Sequence, residues 1–356
     1  MQEILNNCTR FLTGHPRQRP QEILSEIAAN MSEEITADVY GTGDVIRNFE
    51  ISIADLLGKK AAVFMPSGTM AQQIALRIWA QRKKLNNIAF HPKSHLELHE
   101  HKGYEYLHNL HSVYVGEAHR VFAFDDLRTL NVPIAALLIE LPQREIGGVL
   151  PSWQELQNIC SWAKNKNIAL HLDGARLWEC KPFYEKSYRE ICSLFDSIYV
   201  SFYKGIGGIA GAILAGDSNI IAEAKIWKRR HGGDLVHLYP YILSAEQCFK
   251  QRLPKMESYY HKANDIARVL REIPNIKVTP EEPMTNMMHV YLHGDKSTLE
   301  ERALQLAKQS KIWLFNRLVP TVLPGYHKFE LSVGDATLQI DNNEIYDLFT
   351  RLTRQI

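Results

Sequence analysis

Ser197-Ile-Tyr-Val-Ser-Phe-Tyr-Lys204 is an apolar run that ends in a lysine, and Gly205-Ile-Gly-Gly208 and a second apolar stretch, Gly211-Ala-Ile-Leu-Ala215, follow at once. Upstream, Ile168-Ala-Leu-His-Leu-Asp173 is another apolar run, and it ends in a carboxylate. Short continuous apolar runs bounded by glycine read as buried strands. An amine and an acid therefore stand at the ends of two strands inside the fold. Working outward, further buried strands are expected at Ala61–Met65, Asn87–His91, Ala135–Leu141, Ala169–Asp173, Ser197–Ser201 and Ala212–Ala215. Helices fall between several of them; one starts at Pro151 and places Trp153, Leu156, Cys160 and Ala163 on one side. Alternation of this kind predicts an α/β fold with a mainly parallel sheet between helices and ligands bound at strand ends.

The chemistry of the two strand ends is specific. A lysine in a partly desolvated pocket has a lowered pKa, so its neutral amine can condense with an aldehyde. Pyridoxal 5'-phosphate offers that aldehyde, and its ring draws electrons only while an adjacent carboxylate keeps the ring nitrogen protonated. Lys204 and Asp173 suit these two tasks; taken singly, they read equally well as a loop lysine and a capping acid. A third segment, Ala61-Ala-Val-Phe-Met-Pro66-Ser67-Gly68-Thr69-Met70, reads as strand, turn and helix, with Met70, Ile74, Ala75 and Ile78 at helical spacing. Ser67, Gly68 and Thr69 then offer free amides, two hydroxyls and a positive dipole end to a phosphate.

From about residue 240 the pattern changes to short strands around helices: Lys277-Val-Thr-Pro, Met288-His-Val-Tyr-Leu292 and Phe329-Glu-Leu-Ser-Val333. Ser297 with Glu300 and Asp341 with Glu344 read as helix starts. The expected organisation is an N-terminal arm (1–45), a large cofactor-binding domain (46–240) and a small C-terminal α/β domain (241–356). Thr13-Gly-His-Pro-Arg17-Gln-Arg19 reads as a solvated basic arm, with reach into the ligand site as the alternative.

With 356 residues, 45% of them hydrophobic, the chain can bury a full core, and a net charge of +1 leaves no electrostatic footprint for nucleic acid or a membrane surface. Five scattered cysteines without a CxxC pair suggest free thiols in a reducing compartment. Neither a signal peptide nor an apolar run of membrane-spanning length is visible, and a cytoplasmic protein is expected. His91, His95, His99, His101, His108 and His111 crowd one segment, but HExxH spacing is absent and no cysteine or paired acid completes a tetrahedron, so no metal site is expected.

Pro66-Ser-Gly-Thr-Met70, His171-Leu-Asp-Gly-Ala-Arg-Leu-Trp178 and Ser201-Phe-Tyr-Lys-Gly205, with acid and lysine 31 residues apart, resemble the low-specificity threonine aldolase and β-eliminating lyase family of fold-type I pyridoxal phosphate enzymes. Asp38-Val-Tyr-Gly41, Ser94-His95 with Glu100, and Gly147-Gly-Val-Leu-Pro151 extend the resemblance over about residues 38–235. It implies a fold-type I, transferase-like architecture with PLP as cofactor and a small amino acid as substrate. Lys204 would carry the cofactor, Asp173 would partner its ring nitrogen, and Ser67, Gly68 and Thr69 would hold its phosphate. Arg176 would contact the ring hydroxyl or the substrate. His95 would stack on the pyridine face, with proton transfer a second role open to it.

The expected reaction is retro-aldol cleavage of a β-hydroxy amino acid such as threonine or allo-threonine to glycine and an aldehyde. β-Elimination, or another lyase reaction on a different amino acid or amine, is the alternative. The family usually follows the strand ending at Glu140 with an amide-rich Glu-Asn-Thr-His-Asn-like stretch, whereas this chain reads Leu141-Pro-Gln-Arg144. It also places a carboxylate-binding arginine near the stretch that here reads Lys328-Phe-Glu330-Leu-Ser-Val333. Arg144 or Arg317 could take over that carboxylate. The family further implies a homodimer or homotetramer, with Asp38-Val-Tyr40-Gly41 as the segment reaching a neighbouring site.

Overall fold

The computed structural model describes residues 1–354. They pack as two units, one formed by Gln21–Glu145 with Leu150–Pro254, the other by Met1–Pro20, Ile146–Val149 and the chain from Lys255 onward.

The larger unit is built on seven strands: β1 (Ala61–Met65), β2 (Asn87–Phe90), β3 (His111–Tyr114), β4 (Ala136–Glu140), β5 (Ala169–Gly174), β6 (Ser197–Ser201) and β7 (Ala212–Gly216). Their order across the sheet is β1-β7-β6-β5-β4-β2-β3. All neighbours are parallel except β7, which runs antiparallel to both β1 and β6. β5 and β6 are buried along their whole length, polar His171, Asp173, Ser197 and Ser201 included. The strand missed from sequence is β3, an edge strand whose residues are exposed or half-buried. It has no apolar run to announce it.

Helices α1 (Asp44–Leu57), α2 (Gly68–Lys83), α3 (His95–Leu98), α4 (Trp153–Asn165), α5 (Ser218–Arg230) and α6 (Tyr239–Arg252) belong to this unit. α1 buries Ile46, Phe49, Ile53 and Leu57 at helical spacing and ends at Gly58, whose left-handed backbone (φ 67°) closes the helix. α2 is different. Beyond the apolar positions, it buries Gln72 and Gln73. One face of the sheet packs against it through alternate residues, Val63 and Met65, Leu138, Tyr199 and Leu214. Ala169, His171 and Asp173 share a face of β5 by the same alternation, and this sets where the buried polar groups of β5 can go.

The smaller unit carries an antiparallel sheet of β8 (Ile276–Thr279), β9 (Met287–His293), β10 (Val319–Pro320) and β11 (Tyr326–Ser332), ordered β10-β11-β9-β8. Helices α7 (Met256–Arg271), α8 (Lys296–Ser310) and α9 (Asn342–Thr353) accompany it. Two sequence expectations change here. The cap of α8 is Asp295, whose carboxylate accepts from Thr298 N–H at 2.8 Å; the helix starts one residue after it, so Ser297 already lies within the first turn. Residues 13–19 are not solvated throughout: Gly14 N–H donates to the Ser332 carbonyl at 2.7 Å and His15 Nδ1 accepts from Asp335 N–H at 3.2 Å, just after Arg10–Phe11 pair in parallel with Ile312–Trp313. Arg17 and Arg19 are exposed. The start signal at Asp341 is as read, its side chain accepting from Asn343 N–H.

Candidate active site

Asp173 ends β5 beside Glu140 on β4 and Tyr199 on β6, its partners in register. It is 1% exposed. Gln72 Nε2 donates to its Oδ2 at 2.5 Å and Ala175 N–H donates to its Oδ1 at 3.1 Å. Burial raises the pKa of this carboxylate, while the His95 imidazole, the Ala175 amide and Gln72 act against that. Glu140 accepts from Gln143 Nε2 at 3.0 Å and from Arg144 N–H at 3.2 Å. Burial, then the charge of Asp173, raises it in turn, and Arg176 opposes this from within Coulombic range. Glu140 is surrounded by protein yet half-accessible to solvent, as expected of a carboxylate on the floor of a recess.

His95 begins α3, and its Nδ1 lies 3.0 Å from Glu100 Oε1. The carboxylate is buried and steadied by Gln73 Nε2 at 3.4 Å. With Nδ1–H donating to this buried acid, Nε2 is the remaining ring nitrogen. The other histidines of the segment have separate partners. His91 Nε2 meets the carbonyls of Glu117 and Arg120, and His99 Nε2 meets Glu145 Oε1 at 2.8 Å. Among the described residues no group of three His, Cys, Asp or Glu side chains is placed to hold a metal ion.

The segment after β1 forms the expected helix start. Ser67 caps α2, its hydroxyl accepting from Met70 N–H at 3.3 Å, and Gly68 is the first helical residue. Gly68 cannot carry a side chain, because a Cβ there would run into the hydroxyl of Tyr199. Tyr199 and Tyr203 hydroxyls are 3.1 Å apart, and that of Tyr203 is drawn to Gly68 N–H. Lys204 Nζ stands over the Tyr203 ring, 5.2 Å from its centre. Burial first, with Asp173 adding to it, raises the pKa of both phenols. Amine, helix start and buried acid thus meet around two tyrosines that were not picked out from sequence.

The predicted residues Lys204, Asp173, His95, Ser67, Gly68, Thr69 and Arg176 all belong to elements at this end of the larger unit. Arg144 is there too, its Nη1 donating to Glu145 Oε1 at 2.7 Å. Arg317 belongs to the smaller unit, where it lines an apolar cavity with Leu304, Trp313 and Phe315. Glu330 sits on β11 opposite His289 on β9, also in the smaller unit. Asp38 is wholly buried and accepts from the amides of Leu238 and Tyr239 at 2.8 Å, capping the start of α6 from afar. Tyr40 beside it is half exposed, with the Arg229 guanidinium over its ring.

The residues present fit a pyridoxal phosphate. An amine, a buried carboxylate and a helix start with hydroxyl side chains form the donor set. Next to His95, the Ser94 hydroxyl is buried without a hydrogen-bond partner among the described residues, as expected beside a polar group still to be received.

Comparison with known proteins agrees with this geometry. The family model described as beta-eliminating lyase matches residues 19–293. A low-specificity L-threonine aldolase of Arabidopsis thaliana is 25% identical over 294 residues, covering 80% of this chain and 81% of that protein. The structure of a putative L-allo-threonine aldolase from Listeria monocytogenes superposes with a TM-score of 0.94 at 46% identity, covering 99% of this chain and 97% of the other. A putative aromatic amino acid beta-eliminating lyase/threonine aldolase from Exiguobacterium gives a TM-score of 0.94 at 44% identity, covering 99% and 98%. The architecture is that of the fold-type I pyridoxal phosphate enzymes.

Proposed function

Because this chain belongs to the beta-eliminating lyase family, we propose that it is a pyridoxal phosphate-dependent carbon–carbon lyase that cleaves a β-hydroxy amino acid of the threonine or allo-threonine kind to glycine and an aldehyde. The observation that carries the proposal is the His95–Glu100 pair beside Asp173: an imidazole with one nitrogen anchored to a buried acid, next to a carboxylate suited to a cationic ring. When bound, the cofactor supplies the electron sink for the bond broken at Cα.

The chain's own residues divide the remaining work. Lys204 provides the amine that attaches the cofactor, and Asp173 holds a proton at the ring nitrogen. Ser67, Gly68 and Thr69 bind the phosphate at the start of α2. His95 Nε2 takes the proton from the substrate hydroxyl as the carbon–carbon bond opens, and Glu100 keeps the ring oriented for it. Arg176 contacts the ring hydroxyl or the substrate, and Arg144 or Arg317 binds the substrate carboxylate. The working form is a homodimer or homotetramer in which the Asp38–Gly41 segment, with Tyr40 half exposed, reaches a neighbouring subunit.

The test is a spectral titration of cofactor-loaded protein with glycine, L-threonine and L-allo-threonine, followed by an acetaldehyde assay. Acetaldehyde release with a spectral response to glycine supports the lyase. A loaded protein whose spectrum ignores all three substrates refutes it. β-Elimination is the second reading, favoured by the acid Glu330 on β11 where a carboxylate-binding arginine is expected. Ammonia and a 2-oxo acid, in place of glycine and aldehyde, would identify it.

A further inference from the structure

Beneath Asp173 lies a series of buried polar groups that the proposed reaction does not touch. Trp79 Nε1 donates to Ser197 Oγ at 2.8 Å; Ser197 Oγ lies 2.8 Å from His171 Nδ1; His171 Nε2 lies 3.0 Å from Gln72 Oε1; and Gln72 Nε2 donates to Asp173 Oδ2 at 2.5 Å. Gln72, His171, Ser197 and Asp173 are each at most 1% exposed, and Trp79 is 8% exposed. The periods of the secondary structure assemble them. Residues 72 and 79 lie two turns apart on one side of α2, 171 and 173 share a face of β5, and 197 is the register partner of 171 on β6.

The direction of the series can be worked out from donors and acceptors alone. An indole N–H only donates, so Ser197 Oγ accepts from Trp79. The one proton of that hydroxyl is satisfied if it goes to His171 Nδ1, which makes Nδ1 an acceptor. A neutral imidazole then carries its proton on Nε2 and gives it to Gln72 Oε1, and the Gln72 amide nitrogen gives its own to Asp173. Burial pushes His171 down to about 3, which keeps the ring neutral. The opposite polarity needs a protonated Asp173, a turned Gln72 amide and a proton on His171 Nδ1. That arrangement leaves the Ser197 hydroxyl proton, deep in the core, with no acceptor among the described residues, and an unsatisfied buried donor is costly. Only the series in which every donor faces Asp173 satisfies all its members.

We propose that Trp79, Ser197, His171 and Gln72 are positioning residues whose one-way hydrogen-bond series holds Asp173 ionised and oriented for a cationic ring nitrogen. The inference rests on the reading of Asp173 as the cofactor's partner. It also explains why α2, a core helix, keeps a glutamine at 72 where an apolar residue would pack at less cost. Burial and then the charge of Glu100 favour a proton on Asp173, and a donor series ending on its Oδ2 is the counterweight.

Two measurements test it. In cofactor-free protein at pH 7, ring-nitrogen NMR should show His171, assigned by its loss in His171→Asn, as the neutral tautomer protonated at Nε2. An Nδ1-protonated or charged ring overturns the series without reference to any variant. Equilibrium dialysis should then show Gln72→Leu binding pyridoxal phosphate ~10–100-fold more weakly than wild type, and Ser197→Ala more weakly by a smaller factor with mixed His171 tautomers. Wild-type affinity in Gln72→Leu overturns the series while leaving the site reading intact. Failure of the wild-type protein to bind the cofactor removes both.

Discussion

Two strands of this molecule, β8 in the smaller unit and β5 in the larger, bury side chains by different rules. In the smaller unit β8 alternates buried Ile276 and Val278 with exposed Lys277 and Thr279, while α7 and α9 turn clean apolar stripes inward and leave their polar residues in water. In the larger unit α2, β5 and β6 place Gln72, Gln73, His171, Asp173 and Ser197 in the core, each with hydrogen-bond partners. Burying such groups is costly unless they are paired, so a core that does so repeatedly at one end of a sheet is organised for chemistry. In the smaller unit β8, α7 and α9 follow the pattern of a stabilising core, and β9 adds a buried His289. The comparison teaches where substitutions should abolish turnover and where they should only lower a melting temperature.

The sharpest way to break this contrast is Lys204→Ala. It should reduce lyase turnover on the order of 10⁴-fold or more while leaving the circular dichroism spectrum unchanged, since a covalent role has no substitute. Retained turnover would move the chemistry elsewhere. His95→Gln should lower kcat by roughly 10²–10⁴-fold, and Glu100→Gln by less, with a shifted pH profile because the orienting charge is gone. Equal losses from the two variants would show that the imidazole acts as packing only.

Glu140 gives a pH test within the larger unit. Its folded pKa is raised from 4.5 to about 8 by burial and then by Asp173. The folded form therefore binds the proton more tightly than the unfolded chain does. The stability this contributes is complete below about pH 4.5 and is lost as pH rises through about 8. Cofactor-free Glu140→Gln should accordingly melt roughly 3–6 °C above wild type at pH 8.5 and close to it at pH 4.5. A gain of the same size at both values would rule out titration as the cause.

The smallest effect sharpens the other side of the comparison. Asp295→Ala should cost about 1 kcal/mol of stability through the lost cap, and Ser297→Ala should cost much less. Turnover should be unchanged by either. A reversed order in urea melts would restore Ser297 as the cap.

Most of the larger unit's frame was legible because its strands are unbroken apolar runs. Ala61–Met65 and Ser197–Ser201 coincide with β1 and β6, and the other four expected strands are within a residue at each end. The strand ends named Asp173 and Lys204, and the Ser-Gly-Thr turn named the start of α2. The edge strand β3 lay outside reach, since exposure left it no hydrophobic signature. The Trp79–Ser197–His171–Gln72 series was equally hidden, as its members are scattered over 126 positions and meet only when α2, β5 and β6 pack. The cap of α8 was misplaced at Ser297 because the Ser297–Glu300 spacing fits a capping box, whereas the Asp295 carboxylate, two residues earlier, takes the Thr298 amide. Tyr199 and Tyr203 read as ordinary core aromatics; only the closeness of Tyr199 to Gly68 sets them apart.

The pairing of Arg10–Phe11 with Ile312–Trp313, reinforced by the two-pronged Arg10–Glu344 bridge at 2.7 and 2.8 Å, fixes an order of events during synthesis. Residues 10–15 leave the ribosome some 300 residues before the partners they need, an interval on the order of tens of seconds at ordinary elongation rates. The strands of the larger unit emerge in between and can close on one another without them. The nascent chain therefore carries its leading segment as an unpaired passenger until residues 312–332 are made. A protease pulse on stalled chains should clip that segment until Trp313 has cleared the exit tunnel.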